Sequence, residues 1–76
     1  MANTITQWKP EATVNGTARR FKTYAKLKRN MLDMLVESNS NEVRVSRSRR
    51  GQWGEWFEYW GFDNNRKPVI IKQGWM

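Results

Sequence analysis

Residues 42–75, EVRVSRSRRGQWGEWFEYWGFDNNRKPVIIKQGW, decide how this chain is read. Val recurs at alternate positions over residues 42–49, residues 55–62 are mostly aromatic, and residues 69–73 are rich in β-branched side chains. Each composition suits a strand. Arg50-Gly51-Gln52-Trp53-Gly54 separates the first two, and Asp63-Asn64-Asn65-Arg66-Lys67-Pro68 the second two. Both are turn chemistry. A three-stranded antiparallel β-meander follows.

Its register can be tested by asking which residues suit each other across the strands. Centring the first hairpin on Gly51 sets Val43 opposite Tyr59, Arg44 opposite Glu58, Val45 opposite Phe57 and Arg47 opposite Glu55. Centring the second on Asn65 sets Glu58 opposite Lys72, Tyr59 opposite Ile71, Gly61 opposite Val69 and Asp63 opposite Lys67. Apolar groups then meet apolar groups, and charges meet their opposites. In this register Val43, Val45, Phe57, Tyr59, Val69 and Ile71 form the core face. Arg44, Ser46, Trp56, Glu58, Trp60, Phe62, Ile70 and Lys72 form the outer one. Trp56, Trp60 and Phe62 then need a cover or a use: a second core layer beneath the N-terminal residues, a homodimer interface, or a platform for stacking bases.

Upstream, Thr17 suits a helix N-cap, and residues 18–37 contain neither Gly nor Pro. At helical spacing Ala18, Phe21, Tyr24, Ala25, Met31, Leu32, Leu35 and Val36 fall on one apolar arc, which would cover the core face of the sheet. Lys28 lies within that arc and must extend out along its stem. Residues 1–16 hold Ile5, Trp8, Pro10, Val14 and the turn-prone Asn15-Gly16, and no periodicity. They read as an N-terminal arm that packs on the sheet or stays mobile, with Trp8 as cover for the outer aromatics. The expected fold is therefore α+β: an arm over residues 1–16, then one small domain over residues 17–76. That domain has one amphipathic α-helix at 18–37 and a meander packed on it.

A chain of 76 residues buries a small core, about 60% of its unfolded surface. There is no Cys and no His, so a disulfide framework, a thiolate metal site and the commonest catalytic base and nucleophile are excluded. Glu55 and Glu58 point to opposite faces of a strand and cannot act as a carboxylate pair. Asp33 and Glu37 share a helix face, where Arg29 is the natural partner of Asp33. No Gly-rich phosphate fingerprint occurs. The sequence is read as non-enzymatic, without cofactor or metal. With no apolar run near the roughly 20 residues of a membrane span, and no signal-peptide pattern, a cytoplasmic protein is expected.

Fourteen Lys and Arg against seven Asp and Glu give a net charge of +7. Polyanions are the natural partners of such a chain. On the expected helix Arg19, Lys22, Lys26 and Arg29 form a stripe, with Lys22 and Lys26 in mutual repulsion and cations crowding the end where the macrodipole prefers anions. A bound phosphate chain explains that choice; an ordinary solvated face is the plainer account. In the first hairpin the pair Arg49 and Arg50, near Trp53, makes a candidate phosphate fork; Arg47, which Glu55 can neutralise, is a further candidate phosphate contact, and Arg44 lies beside the outer aromatics. In outline the expected helix and sheet resemble the sheet-based DNA readers of the integrase arm-binding and AP2 type. The order differs, with the helix first here and last in those domains, and none of their motifs is present. The function read from the sequence is a small nucleic-acid-binding protein, DNA ahead of RNA. The alternative is an inhibitor or adaptor that docks on an acidic protein surface, of the kind phages and mobile elements encode.

Overall fold

The computed structural model describes residues 9–47 and 56–75. These form a five-stranded antiparallel sheet of order β2-β1-β3-β4-β5. The strands are β1 Glu11–Val14, β2 Thr17–Arg20, β3 Val43–Arg47, β4 Trp56–Phe62 and β5 Pro68–Trp75, with helices α1 Tyr24–Arg29 and α2 Met31–Glu37 between β2 and β3. The expected arm, single helix and three-stranded meander are thus overturned. Residues read as an arm supply a strand inside the sheet, and the first turn of the expected helix is the edge strand β2.

Asn15 and Gly16 account for the difference. Their φ values of 51° and 84° give the left-handed backbone that a two-residue hairpin loop requires, and Val14 pairs directly with Thr17 across it. Side chains at residues 17–20 tolerate a helix, but hydrogen bonding to β1, and of β1 to β3, overrides that local preference. The turn is also clamped. The Asn15 side chain donates to the Glu37 carbonyl at 3.2 Å and accepts from the Asn39 amide at 2.8 Å, occupying groups that the end of α2 would otherwise leave open.

The helix begins at Thr23, not Thr17. Thr23 is extended, and its Oγ1 accepts from the Lys26 amide at 3.1 Å, a side-chain N-cap. Asn30 interrupts the helix with φ −97° and ψ 3°, its side-chain amide donating to the Lys26 carbonyl at 2.8 Å. This break shifts the apolar face. Leu27, Met31, Met34 and Leu35 are buried, whereas Leu32 and Val36, which one continuous helix would turn inward, are 47% and 70% exposed.

The core consists of Leu27, Met31, Met34 and Leu35 from the helices against Ala12, Val14, Val43, Val45 and Trp60 from the sheet. Trp60 belongs there because β3 and β4 pair one residue away from the expected register. Val43 faces Trp60, Arg44 faces Tyr59, Val45 faces Glu58 and Arg47 faces Trp56. A one-residue slip exchanges the two faces of a strand. Trp56, Glu58 and Trp60 consequently turn toward the helices, and Phe57 and Tyr59 turn away. At the far end of β4, Gly61 pairs with Val69, and the Asp63 amide donates to the Lys67 carbonyl at 2.9 Å, both as the sequence suggests. Asp63 Oδ1 accepts from the amides of Asn65 and Lys67, each at 2.8 Å, and so fixes the turn. A bulge between Tyr59 and Trp60 then shifts the remaining pairs, and Tyr59 meets Lys72 rather than Ile71. Among the described residues no helix is long and apolar enough to cross a membrane.

Candidate functional site

Glu58 is the organising residue of the inner face, and it is 2% exposed. A carboxylate cannot be buried alone, and this one has four donors. Tyr24 Oη donates at 2.7 Å, the indole Nε1 groups of Trp56 and Trp60 each donate at 2.9 Å, and Arg47 Nη1 approaches to 3.5 Å. Burial by itself would push the Glu58 carboxyl up. The hydrogen bonds from Tyr24, Trp56 and Trp60 and the charge of Arg47 outweigh it and hold the group below its ordinary value. Tyr24 responds in the opposite sense. Burial, and then its bond to Glu58, push its hydroxyl well above the usual phenol range. At neutral pH the pair is a charged acceptor and a neutral donor.

Beside this cluster lies a cleft of about 450 Å³ lined by Tyr24, Arg47, Trp56, Ile70, Gln73 and Trp75, and reaching Glu58. Alternation in β4 and β5 brings Trp56 and Trp75 together as cross-strand partners, with ring centroids 5.2 Å apart and planes at 75°. The Arg47 guanidinium carbon lies 3.8 Å from the centroid of the Tyr24 ring, and Lys28 Nζ lies 5.1 Å from the same centroid. One ring of the cleft, Tyr24, thus has two cations near its centroid, of which Arg47 also lines the opening.

The residues singled out from the sequence are distributed differently from the expected stripe and fork. Arg19 stands on β2 and pairs with Glu37 of α2, which raises the Arg19 pKa and lowers that of Glu37. It is not part of a helical stripe. Lys22 lies in the exposed connector before α1, and Lys26 and Arg29 are exposed on α1. Lys22 and Lys26 are thus not one helical turn apart. Arg47 is turned inward onto Tyr24 and Glu58. Arg44 is half-buried on the opposite face, flanked by Thr13 and Tyr59. Arg49, Arg50 and Trp53 lie outside the described residues, as do Trp8 and Glu55.

The outer face also differs in content. Instead of Trp56, Trp60 and Phe62 it carries Phe57 and Tyr59, edge to face at 5.5 Å, with Tyr59 between Arg44 on β3 and Lys72 on β5. The residues that the sequence offers for a homodimer face, Trp56, Trp60 and Phe62, stand on the inner side of the sheet, with Trp60 in the core and Phe62 packed against it. The exposed apolar groups Val69, Ile71 and Trp75 are instead on the edge strand β5.

The charge-matched register hid Glu58, Tyr24 and Trp75. A signal was available in Trp56-Phe57-Glu58-Tyr59-Trp60, since residues i and i±2 of a strand share a face. That spacing offers two indole N–H groups to one carboxylate and favours burying all three. Among the described residues no group of three or more potential metal ligands converges. Compared with protein-family models, with curated proteins and with solved structures, the chain matches none. Its geometry is a five-stranded antiparallel sheet with two short helices on one face and an aromatic cleft, lined also by Arg47, where the start of α1 meets β3, β4 and β5.

Proposed function

We propose that the chain is a non-enzymatic nucleic-acid-binding protein in which the cations of α1 and its lead-in meet phosphates and the rings of the cleft meet bases. The observation that carries this reading is the Tyr24 ring, which lines the cleft with Trp56 and Trp75 while holding Arg47 and Lys28 near its centroid. Lys26, Lys28 and Arg29 occupy the last turn of α1, where the helix dipole alone would favour cations. Their charge is therefore not evidence by itself. Next to an aromatic cleft, in a chain of net charge +7, it forms the pattern of electropositive track and stacking surface that nucleic acids use.

Fluorescence anisotropy with labelled single-stranded DNA, duplex DNA and RNA over a salt series tests the proposal. Affinity should fall steeply with salt, and Lys26→Ala and Arg29→Ala should each flatten the slope by about one unit for a lost phosphate contact. Failure to bind all three at low salt would overturn the reading. The acidic-protein adaptor would then gain weight, with Val69, Ile71 and Trp75 on the exposed edge strand as its apolar contacts.

A further inference from the structure

The cleft beneath α1 differs from a generic aromatic pocket in the state of its charges. Aromatic rings next to a carboxylate commonly select organic cations, because ring faces and the acid both attract positive charge. Here the acid and the Tyr24 ring are both already engaged. Glu58 accepts from Tyr24, Trp56 and Trp60 and is paired with Arg47. The Tyr24 ring already has the Arg47 guanidinium at 3.8 Å and Lys28 Nζ at 5.1 Å. A cationic ligand would meet the Arg47 guanidinium and an acid whose oxygens are already taken. A flat ligand that is neutral at its ring suits the aromatic lining, and an anionic margin suits Arg47.

The dimensions narrow the choice further. A volume of about 450 Å³ is that of a site for one small planar molecule with its substituents. Trp75 is 45% exposed and meets Trp56 edge-on at 75°, so it is not stacked face to face with its neighbour. Gln73, exposed and on the cleft lining, brings an amide that can donate to and accept from the edge of a base. A base that is paired in a duplex presents neither its ring face nor its pairing edge to such a site; an unpaired base presents both.

We infer that the cleft between Tyr24, Trp56 and Trp75 takes one unpaired base, stacked on Trp75 with its edge toward Gln73, and that the protein prefers single-stranded nucleic acid to duplex. This rests on the nucleic-acid reading above and specifies the form of its ligand. Lys28, whose Nζ lies 5.1 Å from the Tyr24 ring centroid, serves a flanking phosphate.

The test compares wild type, Trp75→Ala, Trp75→Phe and Gln73→Ala by anisotropy on a labelled oligothymidine and on a labelled duplex, with thermal melts of each variant. Wild type should bind the single strand at least about tenfold tighter than the duplex. Trp75→Ala should weaken single-strand binding by about 5- to 150-fold, the worth of one stacked base, with duplex affinity unchanged. Trp75→Phe should restore most of the loss, and Gln73→Ala should weaken single-strand binding without shifting the melt. Single-strand affinity that is indifferent to both Trp75→Ala and Gln73→Ala, or a wild type that favours duplex, overturns the inference and leaves the broader reading standing. A wild type that binds neither oligonucleotide at low salt overturns both.

Discussion

The inner and outer faces of β4 carry similar aromatic weight and hold it by different means. Inward, Trp56 and Trp60 are tied by their indole nitrogens to a carboxylate between them, which Tyr24 and Arg47 also engage. Outward, Phe57 and Tyr59 rest edge to face on each other. A hydrogen-bonded network at a buried charge tolerates little displacement, because every lost donor leaves a desolvated group unpaired. An edge-to-face ring pair slides at small cost. In this sheet the polar cluster, not the apolar surface, determines which way β4 faces.

The largest effect should come from removing the centre of that cluster. Glu58→Ala removes the acceptor shared by Tyr24, Trp56 and Trp60, together with the charge that Arg47 faces. Each donor left unsatisfied costs about 1 to 3 kcal/mol. A chain of this size has roughly 4 to 11 kcal/mol to lose, so the variant should be largely unfolded at 25 °C by circular dichroism. Tyr59→Ala on the opposite face should cost about 1 kcal/mol, the centre of the range for single substitutions. If urea denaturation gave equal losses for the two, the asymmetry between the faces would be wrong.

A smaller loss is expected at Tyr24→Phe, which deletes one hydrogen bond to the carboxylate and keeps the ring under Arg47. Bonds to charged groups contribute about 1.5 to 3 kcal/mol. The melting temperature should fall by several degrees per kcal/mol in a domain this small. An unshifted melt would show that Trp56 and Trp60 suffice to hold Glu58.

The contrast between the faces also explains how much of the molecule was legible beforehand. The turn at Asp63 was legible because it depends on its own residues, and the pairs Gly61–Val69 and Asp63–Lys67 form as local chemistry suggests. The β3–β4 register was not. Matching charges across neighbouring strands set Glu58 against Arg44 and Lys72, but the partners that fix it include Tyr24, 34 residues away on a helix. Strand-to-strand comparison has no access to that contact. Asn15-Gly16 was legible as a turn, but without knowing that Ala12 pairs with Val45 nothing required strands on both sides of it. The break at Asn30 carries neither Gly nor Pro, and so one long helix absorbed β2, α1 and α2 alike. Arg47, which the sequence sets opposite Glu55, lies on the Tyr24 ring, a contact that again crosses from sheet to helix.

The pH dependence of stability should show the inner cluster titrating at both ends. The Glu58 carboxyl is lowered in the folded state, so its contribution is complete above the unfolded value of about 4.3 and is lost as pH falls through the lower folded value. The Tyr24 hydroxyl is raised, so its contribution is complete below the unfolded value of about 10 and is lost as pH rises through the higher folded value. Melting temperature should be level between these limits and decline beyond both. Tyr24→Phe sharpens the comparison, since it removes the alkaline decline due to this residue and, by taking a donor from Glu58, moves the acid decline to higher pH. Acid and alkaline limbs that are the same in wild type and Tyr24→Phe would separate the two groups and break the account of a shared bond.

The smallest effect should belong to the ion pair between Arg19 and Glu37, which has the same chemistry as Arg47 and Glu58 in a different place. Its side chains are 38% and 50% exposed, against 27% and 3% for the inner pair. Water and salt screen exposed charges, and fixing two long side chains costs entropy that offsets most of what remains. The raised Arg19 pKa and the lowered Glu37 pKa record a local hydrogen bond, not a contribution to the fold. The β1–β2 turn is held to α2 independently by the two hydrogen bonds of the Asn15 side chain, so losing the pair does not release that corner. Arg19→Ala should therefore leave the melting temperature where it is, in low salt and in high. Asn15→Ala should lower it in both, because it removes two bonds and replaces a residue suited to φ 51° with one that is not. A salt-dependent drop for Arg19→Ala comparable to that of Asn15→Ala would mean that the corner is held electrostatically. The outer edge of the sheet would then share the inner face's dependence on charge.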